Sequence, residues 1–208
     1  MAFTQNFDFN QADYAGVGGG VCAVLSACWI REMRDHKGQG PAQRKLVLEQ
    51  AIRRFAPRLQ NVYSDKWSQL DSVKRKCAWV LRLAGDSQIV GEPHYNLNGV
   101  ALTNYVKDLR RTGFHYNFGG AGGGGWGHAV GIWRSGHAGI LPSGHVYVFD
   151  PNQGEFIGNK SDLARFIDNR ILNSFDPLAC SWTYCLRTDK PTQGDTGSQF
   201  QGRRAKVM

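Results

Sequence analysis

The spacing of apolar residues changes from a helical to a strand pattern near residue 113. Before that point apolar residues recur at intervals of three and four, which predicts amphipathic helices. After it, apolar and polar residues alternate over short runs, which predicts strands. Helices followed by strands indicate an α+β fold, in which a helical lobe packs on a small antiparallel sheet.

Four helices are predicted in the first half of the chain. The first covers residues 22–35, and its apolar face consists of Val21, Val24, Leu25 and Cys28. The second begins at Pro41 and ends before Pro57. The third carries one apolar stripe, including Cys77, from about residue 64 to residue 84. The fourth includes residues 102–109 and ends at Gly113.

In the second half of the chain, the pattern of apolar residues predicts a sheet interrupted by one helix. The expected strands are residues 114–118, 128–133, 146–149 and 181–186, and the helix covers residues 161–172. Residues 1–14 show no clear period and are given no function. Residues 188–208 are rich in Gly, Ser, Thr, Gln and charge, so we expect a disordered tail after a single domain at residues 1–187.

Cys22 lies where a glycine-rich stretch, residues 16–20, meets the first helix. A thiol in the first turn of a helix faces free backbone N–H groups and the positive end of the helix dipole, and both lower its pKa. The alternative is a small buried apolar residue, as most single cysteines are. Cys22 is therefore a candidate nucleophile whose assignment depends on a base elsewhere in the chain.

Two predicted strands, 128–134 and 144–150, provide a base and a carboxylate. If they pair as a hairpin around Gly139, His128 lies directly opposite Asp150, with Cβ atoms about 5 Å apart. A carboxylate at that distance can accept the imidazole N–H, which is the arrangement that an activated nucleophile needs. A shift by one residue would place the two side chains on opposite faces of the sheet.

The remaining chemistry-bearing residues have simpler interpretations. The glycine run at 119–127 lacks the Gly-Lys-Ser/Thr ending of a phosphate loop and precedes a strand, so we expect a flexible lip beside His128 in which Trp126 contacts substrate. No spacing of His and Cys resembles a zinc site, and we expect no metal and no other cofactor. Loop or surface positions are expected for His94, His115, His137 and His145.

Cysteine usage and apolar runs restrict the setting in which the protein works. Five cysteines without a CxxC spacing argue against a disulfide framework, which favours a reducing environment. The longest apolar run, residues 21–30, is too short to span a bilayer and lacks the pattern of a signal peptide. With 208 residues and 41% hydrophobic content, the chain can bury a full core, and we expect a monomer.

The formal net charge of +8 is concentrated in the helical half. Residues 31–111 contain 16 Lys and Arg against 8 Asp and Glu, whereas the rest of the chain holds 9 of each. Such a surface suits nucleic acid or an anionic membrane. Because the charges are interleaved with apolar stripes, we interpret them as solvated helix faces and expect no nucleic-acid partner. An anionic membrane surface stays open as a partner. A further alternative is that the protein is not an enzyme but a basic helical module that binds acidic partners or membranes.

Three blocks of the sequence resemble the YopT-type cysteine proteases, bacterial effectors of the papain-like superfamily. They match in order and in approximate spacing. The blocks are Gly-Gly-Val-Cys-Ala-Val-Leu-Ser-Ala-Cys-Trp-Ile from residue 19, Gly-His-Ala-Val-Gly-Ile-Trp from residue 127, and Val-Phe-Asp-Pro-Asn-Gln-Gly-Glu-Phe from residue 148. The resemblance implies Cys22 as nucleophile, His128 as general base and Asp150 as its orienter. It also implies a papain-like fold, with the cysteine on the helical lobe.

The same resemblance implies a thiol protease that acts on a protein of a target cell. It further implies delivery by a bacterial secretion system without a cleaved signal peptide, and action in the target-cell cytosol. A deamidase or transglutaminase using the same three residues is the alternative, because both attack an amide carbonyl.

One position departs from the papain-like pattern. These enzymes place Gln or Asn five or six residues before the nucleophile as an oxyanion donor, whereas this chain has Val17 and Gly16 there. The nearest upstream amides, Asn10 and Gln11, are too far away in sequence for the role to be carried over to them. Either the backbone of the glycine loop supplies the donors, or an upstream amide folds back. The sequence assigns no side chain to this role.

Overall fold

The computed structural model describes residues 2–14, 20–36, 39–107, 109, 112–120, 126–136, 144–175 and 180–190. In this part of the chain eight strands form one antiparallel sheet, in the order β1-β7-β6-β5-β4-β8-β2, with β3 also paired to β8. The strands are β1 (Thr4–Phe7), β2 (Gln88–Ile89), β3 (His94–Tyr95), β4 (Thr112–Gly120), β5 (Trp126–Arg134), β6 (His145–Asp150), β7 (Gly154–Asn159) and β8 (Trp182–Asp189).

Helices cover both faces of the sheet. Side chains alternate between the faces along each strand, and apolar side chains lie on both, so each face needs a cover. One face carries α1 (Cys22–Asp35), α2 (Pro41–Arg54), α3 (Ala56–Gln69) and α4 (Val73–Gly85). The other face carries α5 (Gly99–Val106) and α6 (Leu163–Phe166), which continues through a wider turn at Ile167–Ile171. The mixed helix and antiparallel sheet prediction is confirmed, although the sheet is larger than predicted and is covered on both faces.

Two helix boundaries differ from the prediction. The second helix ends at Arg54, before Pro57 as predicted, but the third begins at Ala56 and not near residue 64, because Pro57 lies in the first turn of α3, where a missing N–H costs nothing. The single stripe predicted across residues 64–84 is divided between α3 and α4. Ser72 causes the division, because its side chain caps α4 by accepting a hydrogen bond from the Arg75 backbone N–H. Cys77 is buried, as predicted.

The sheet also extends beyond its predicted limits. β7 is missing from the prediction, and Gly113 lies inside β4 instead of ending a helix. The domain boundary before residue 188 stays a prediction, and β8 continues just beyond it, since Thr188 is buried and Asp189 pairs with β2. Residues 191–208 of the proposed tail lie outside the described residues.

α1 crosses the centre of the sheet and carries Cys22 at its first residue. Its approach to β5 requires a glycine, since a Cβ at Gly131 would lie 2.6 Å from the ring of Trp29. The hydroxyl of Ser26 donates to the Ala129 carbonyl over 2.9 Å, which ties the helix to the same strand. α1 therefore brings Cys22 to β5 near His128. No helix among the described residues is long and apolar enough to cross a bilayer.

Candidate active site

Cys22, His128 and Asp150 meet where α1 begins and β5 and β6 separate. His128 Nε2 lies 2.8 Å from Asp150 Oδ1, and both side chains are almost fully buried. The Cys22 thiol lies within hydrogen-bonding range of the His128 ring. Because Asp150 occupies Nε2, the other ring nitrogen, Nδ1, is left for the sulfur. The three side chains thus form a continuous chain from thiol to carboxylate.

The electrostatics of this cluster favour a charged pair. Burial opposes ionisation of Cys22, but the His128 ring and the backbone N–H groups of Ala129 and Ala23 outweigh it and hold the pKa of the thiol below its ordinary value. Burial also opposes a charge on His128, but Cys22 and Asp150 together raise the pKa of His128 to about 10. Over the interval between the two pKa values the pair exists as thiolate and imidazolium.

The register of β5 and β6 corrects the predicted hairpin. Arg134 pairs with Val146 and Gly131 pairs with Phe149, so continuation of the ladder would place Val130, not His128, opposite Asp150. The error is two residues, and a shift of two keeps every side chain on its own face. His128 therefore contacts Asp150 diagonally. Residues 137–143, which include the predicted turn around Gly139, lie outside the described residues.

The segment after β6 holds the Asp150 carboxylate in place. Its Oδ1 accepts from the Asn152 backbone N–H at 2.8 Å, and its Oδ2 accepts from the Gln153 side-chain amide at 3.2 Å. Gly154 has φ of +110°, and a Cβ there would lie 2.0 Å from the Phe7 carbonyl oxygen, so only glycine fits. These contacts explain why Gln153 and Gly154 follow Asp150 at this turn.

Gln11 folds back to the start of α1, which the sequence left as one of two alternatives. Its side-chain carbonyl accepts from the Val21 backbone N–H at 2.7 Å, and its amide donates to Asn152 Oδ1 at 2.6 Å. The amide thus connects the residue before Cys22 to the turn that holds Asp150. Sequence reasoning missed this contact, because 141 residues separate Gln11 from Asn152 and no local pattern links them.

Glu155, directly after this turn, anchors the site to the helices. Its carboxylate is fully buried and forms a two-point ion pair with Arg44 of α2, while Oε2 also accepts from the Trp29 indole at 2.7 Å and Oε1 from the Asn6 side chain at 2.7 Å. A buried charge of this kind is tolerated only when it is paired and hydrogen-bonded. The network fixes α1 and α2 relative to the segment that carries Asp150.

Trp126 is connected to the site through the ring of Phe175. It stacks on Phe175 with centroids 5.5 Å apart, and Phe175 in turn lies 4.6 Å from the ring of His128. Trp126 is half-buried, so its role as a substrate contact stays a prediction. The predicted flexible lip is partly wrong, because Gly119, Gly120 and Gly127 belong to β4 and β5, while residues 121–125 lie outside the described residues.

Among the histidines other than His128, one contradicts the sequence prediction. His115 is fully buried in β4, not in a loop or on the surface, whereas His94 is exposed and His145 is half-buried. His137 lies outside the described residues. Within the part of the chain that the structure describes, no group of three or more His, Cys, Asp or Glu side chains is arranged to hold a metal ion.

Comparison with solved structures reveals a similar fold. The chain superposes on the crystal structure of the Pseudomonas avirulence protein AvrPphB with a TM-score of 0.58, covering 86% of this chain and 100% of that one, at 20% sequence identity. The chain has the fold of AvrPphB. AvrPphB is a YopT-type cysteine protease effector, so the resemblance seen in the three sequence blocks is matched by a structural similarity. No protein-family model matches the chain, and no curated protein matches its sequence.

Proposed function

We propose that this protein is a thiol protease with a papain-like arrangement, in which Cys22 is the nucleophile, His128 the general base and acid, and Asp150 the residue that orients His128. The observation that carries the proposal is the buried chain from the Cys22 thiol through His128 to Asp150, with the pKa of the thiol lowered. The similarity of the fold to that of a cysteine protease effector supports it.

In the proposed reaction the Cys22 thiolate attacks the carbonyl carbon of a peptide bond, which forms a C–S bond and a tetrahedral oxyanion. The His128 imidazolium gives its proton to the leaving nitrogen as the C–N bond breaks, which leaves a thioester. Water then attacks the thioester carbonyl while His128 takes its proton. The C–S bond breaks, and Cys22 returns to the thiolate. Asp150 keeps Nε2 occupied, so that Nδ1 faces the sulfur throughout.

Gln11 is our proposed side-chain donor to the oxyanion, together with the Cys22 backbone N–H. Val21, the N-terminal boundary residue of α1, makes no side-chain capping bond, and the first helical bond runs from the Leu25 N–H to the Val21 carbonyl, so the N–H groups of the first turn, including that of Cys22, have no partner within the helix. Asn152 accepts from the Gln11 amide nitrogen, whose two hydrogens leave one for the oxyanion.

The oxyanion proposal has a test that separates it from thiol activation. Gln11→Leu should lower kcat for peptide cleavage by about a hundredfold, the loss that follows removal of one donor. The rate at which iodoacetamide alkylates Cys22 should change little, because that substitution forms no oxyanion. Gln5→Leu is the matched control, since Gln5 also bonds the 151–154 turn but is exposed and remote from Cys22. Equal losses in both variants would reject the role of Gln11.

The whole proposal is tested by comparing new protein N-termini in target cells that express the wild type or Cys22→Ala. New termini should appear only with the wild type, provided that both proteins fold. Intact targets that gain about one dalton per modified side chain, without new termini, would instead indicate a deamidase. Identical proteomes with folded wild-type protein would overturn the assignment to amide chemistry.

The proposal includes a setting and a substrate class. As with the effector of similar fold, we place the protein in a target-cell cytosol after bacterial secretion, where it acts on a protein. A basic helical half would attract an acidic substrate surface and repel a basic one, so we propose an acidic or neutral protein substrate.

A further inference from the structure

His115 is a buried titratable residue that the proposed reaction does not use. It lies on β4, on the sheet face that α1 covers, and pairs across the sheet with Gly131 and Leu186. Its Nε2 lies 3.2 Å from the carbonyl oxygen of Ala23, the residue directly after Cys22. Its Nδ1 lies 2.9 Å from the side-chain amide nitrogen of Asn117. The imidazole is thus held between a neighbouring side chain and the first turn of α1.

These two contacts determine which ring nitrogen carries the proton. The amide nitrogen of Asn117 only donates, so Nδ1 accepts, and Nε2 carries the hydrogen that it donates to the Ala23 carbonyl. Burial lowers the pKa of His115 to about 4, even though the bond to Ala23 raises it, so the ring is neutral at working pH. A neutral ring in one tautomer is a fixed donor directed at the helix.

The first turn of α1 needs such support, because its own N-terminal boundary residue does not cap it. Val21, at the N-terminal boundary, has an irregular backbone conformation and makes no side-chain capping bond. Instead the turn is held at two points on either side of Cys22. Gln11 accepts from the backbone of Val21, and His115 donates to the backbone of Ala23. Loss of the His115 contact frees the Ala23 carbonyl, directly after the residue that carries the thiol.

We infer that His115 is a positioning residue, which fixes the Ala23 carbonyl so that the Cys22 thiol stays in contact with His128. The inference rests on the proposed function, since it takes Cys22 as the nucleophile. His115 does not touch the reacting atoms. Its effect passes through the backbone between residues 22 and 23, where a displacement of about 1 Å can cost up to a hundredfold in rate.

The test uses iodoacetamide, because alkylation of Cys22 needs no known substrate. His115→Phe keeps the ring but removes the donor, and it should lower the alkylation rate at pH 7 by about tenfold and move the apparent pKa of Cys22 upward. His115→Gln places an amide N–H near the position of Nε2 and should restore the rate to within about twofold. Rescue by Gln and a shifted pH profile are effects that general destabilisation would not produce.

Cys28→Ala is the matched control. Cys28 also makes a fully buried hydrogen bond to a backbone carbonyl, but it lies further along α1 and bonds Ala84 of α4. The alkylation rate of Cys22 in this variant should stay within about twofold of the wild type. Equal losses in Cys28→Ala and His115→Phe would overturn the inference, as would a wild-type rate in His115→Phe.

If His115→Phe does not fold, Asn117→Leu decides the question. Without the amide the His115 ring loses the donor that fixes its Nδ1, and the alkylation rate of Cys22 should fall by about threefold; an unchanged rate would overturn the inference. Failure of the proposed function would look different. In that case wild-type Cys22 would itself react no faster than a thiol in the denatured protein.

Discussion

The reactivity of Cys22 depends on His128, and His128→Leu should reduce it by at least about tenfold at pH 7. Cys77 provides an internal reference, because it is buried in the same layer without an imidazole. Burial raises the pKa of Cys77 to about 11, although its hydrogen bonds with Tyr184 and Tyr63 lower it. Leucine fills the space of the His128 ring without its charge, so Cys22 of the variant should behave like Cys77.

The magnitude follows from the ionised fractions. A thiol with a pKa of about 9 is about 1% ionised at pH 7 and one with a pKa of about 11 about 0.01%, so the thiolate population falls by at least about a hundredfold. A thiolate of higher pKa is more nucleophilic, by about 0.4 to 0.5 logarithmic units per pKa unit. Over the two units from about 9 to about 11, each thiolate therefore reacts about eight times faster, which offsets part of the loss. The remaining loss is about tenfold, and it is larger if the wild-type pKa lies further below 9.

The assay measures iodoacetamide incorporation at Cys22 by peptide mass spectrometry on folded protein, from about pH 5 to about pH 10. The wild-type profile should rise at the lowered pKa of Cys22, and the variant profile should rise only under strongly alkaline conditions. Cys77 in the same samples reports accidental unfolding. A folded variant that reacts within about threefold of the wild type at pH 7 would refute the argument that His128 ionises the thiol.

Three further predictions concern other parts of the molecule. Cys22→Ala should abolish cleavage. Cys28→Ala removes a buried thiol bonded to the Ala84 carbonyl, so it should keep activity and lower the free energy of unfolding by about 1 kcal/mol. Similar catalytic loss in both variants would reject the assignment of Cys22 as nucleophile. Glu155→Leu leaves Arg44 buried without its partner and should cost about 3 to 5 kcal/mol in urea unfolding, so a loss below about 1 kcal/mol would contradict that reasoning. Acidic peptides should be cleaved faster than basic peptides of matched sequence, with an advantage that shrinks as salt rises; a basic preference that weakens with salt would show the reverse steering.

The helix that carries Cys22 could be predicted because its signals are local. An apolar stripe beginning after a glycine run determines both the helix and the position of Cys22 in its first turn. The shared face of His128 and Asp150 could also be predicted, since alternation assigns faces. Their register could not, because chain length alone does not determine where a connection turns, and the pairing differs by two residues from a symmetric hairpin.

Contacts between distant segments could not be predicted from the sequence. His115 has an ordinary polar side chain in an alternating strand, and only the position of α1 shows why it is buried. Gln11 has no pattern that connects it to Asn152. The break between α3 and α4 depends on the cap that Ser72 forms inside a continuous apolar stripe. The same stripe also fits one unbroken helix, so the pattern alone does not reveal the break.

The bond between Gln11 and Asn152 also has a consequence for folding. It closes a segment of 141 residues, and Ser26 and Ala129 join across 103. Contacts between such distant parts form late, since the entropy of closing a long loop is lost before the contact can compensate. Recovery of Cys22 reactivity should therefore follow the slowest phase of refolding. Under the proposed function, a chain that is still folding cannot yet cut its neighbours.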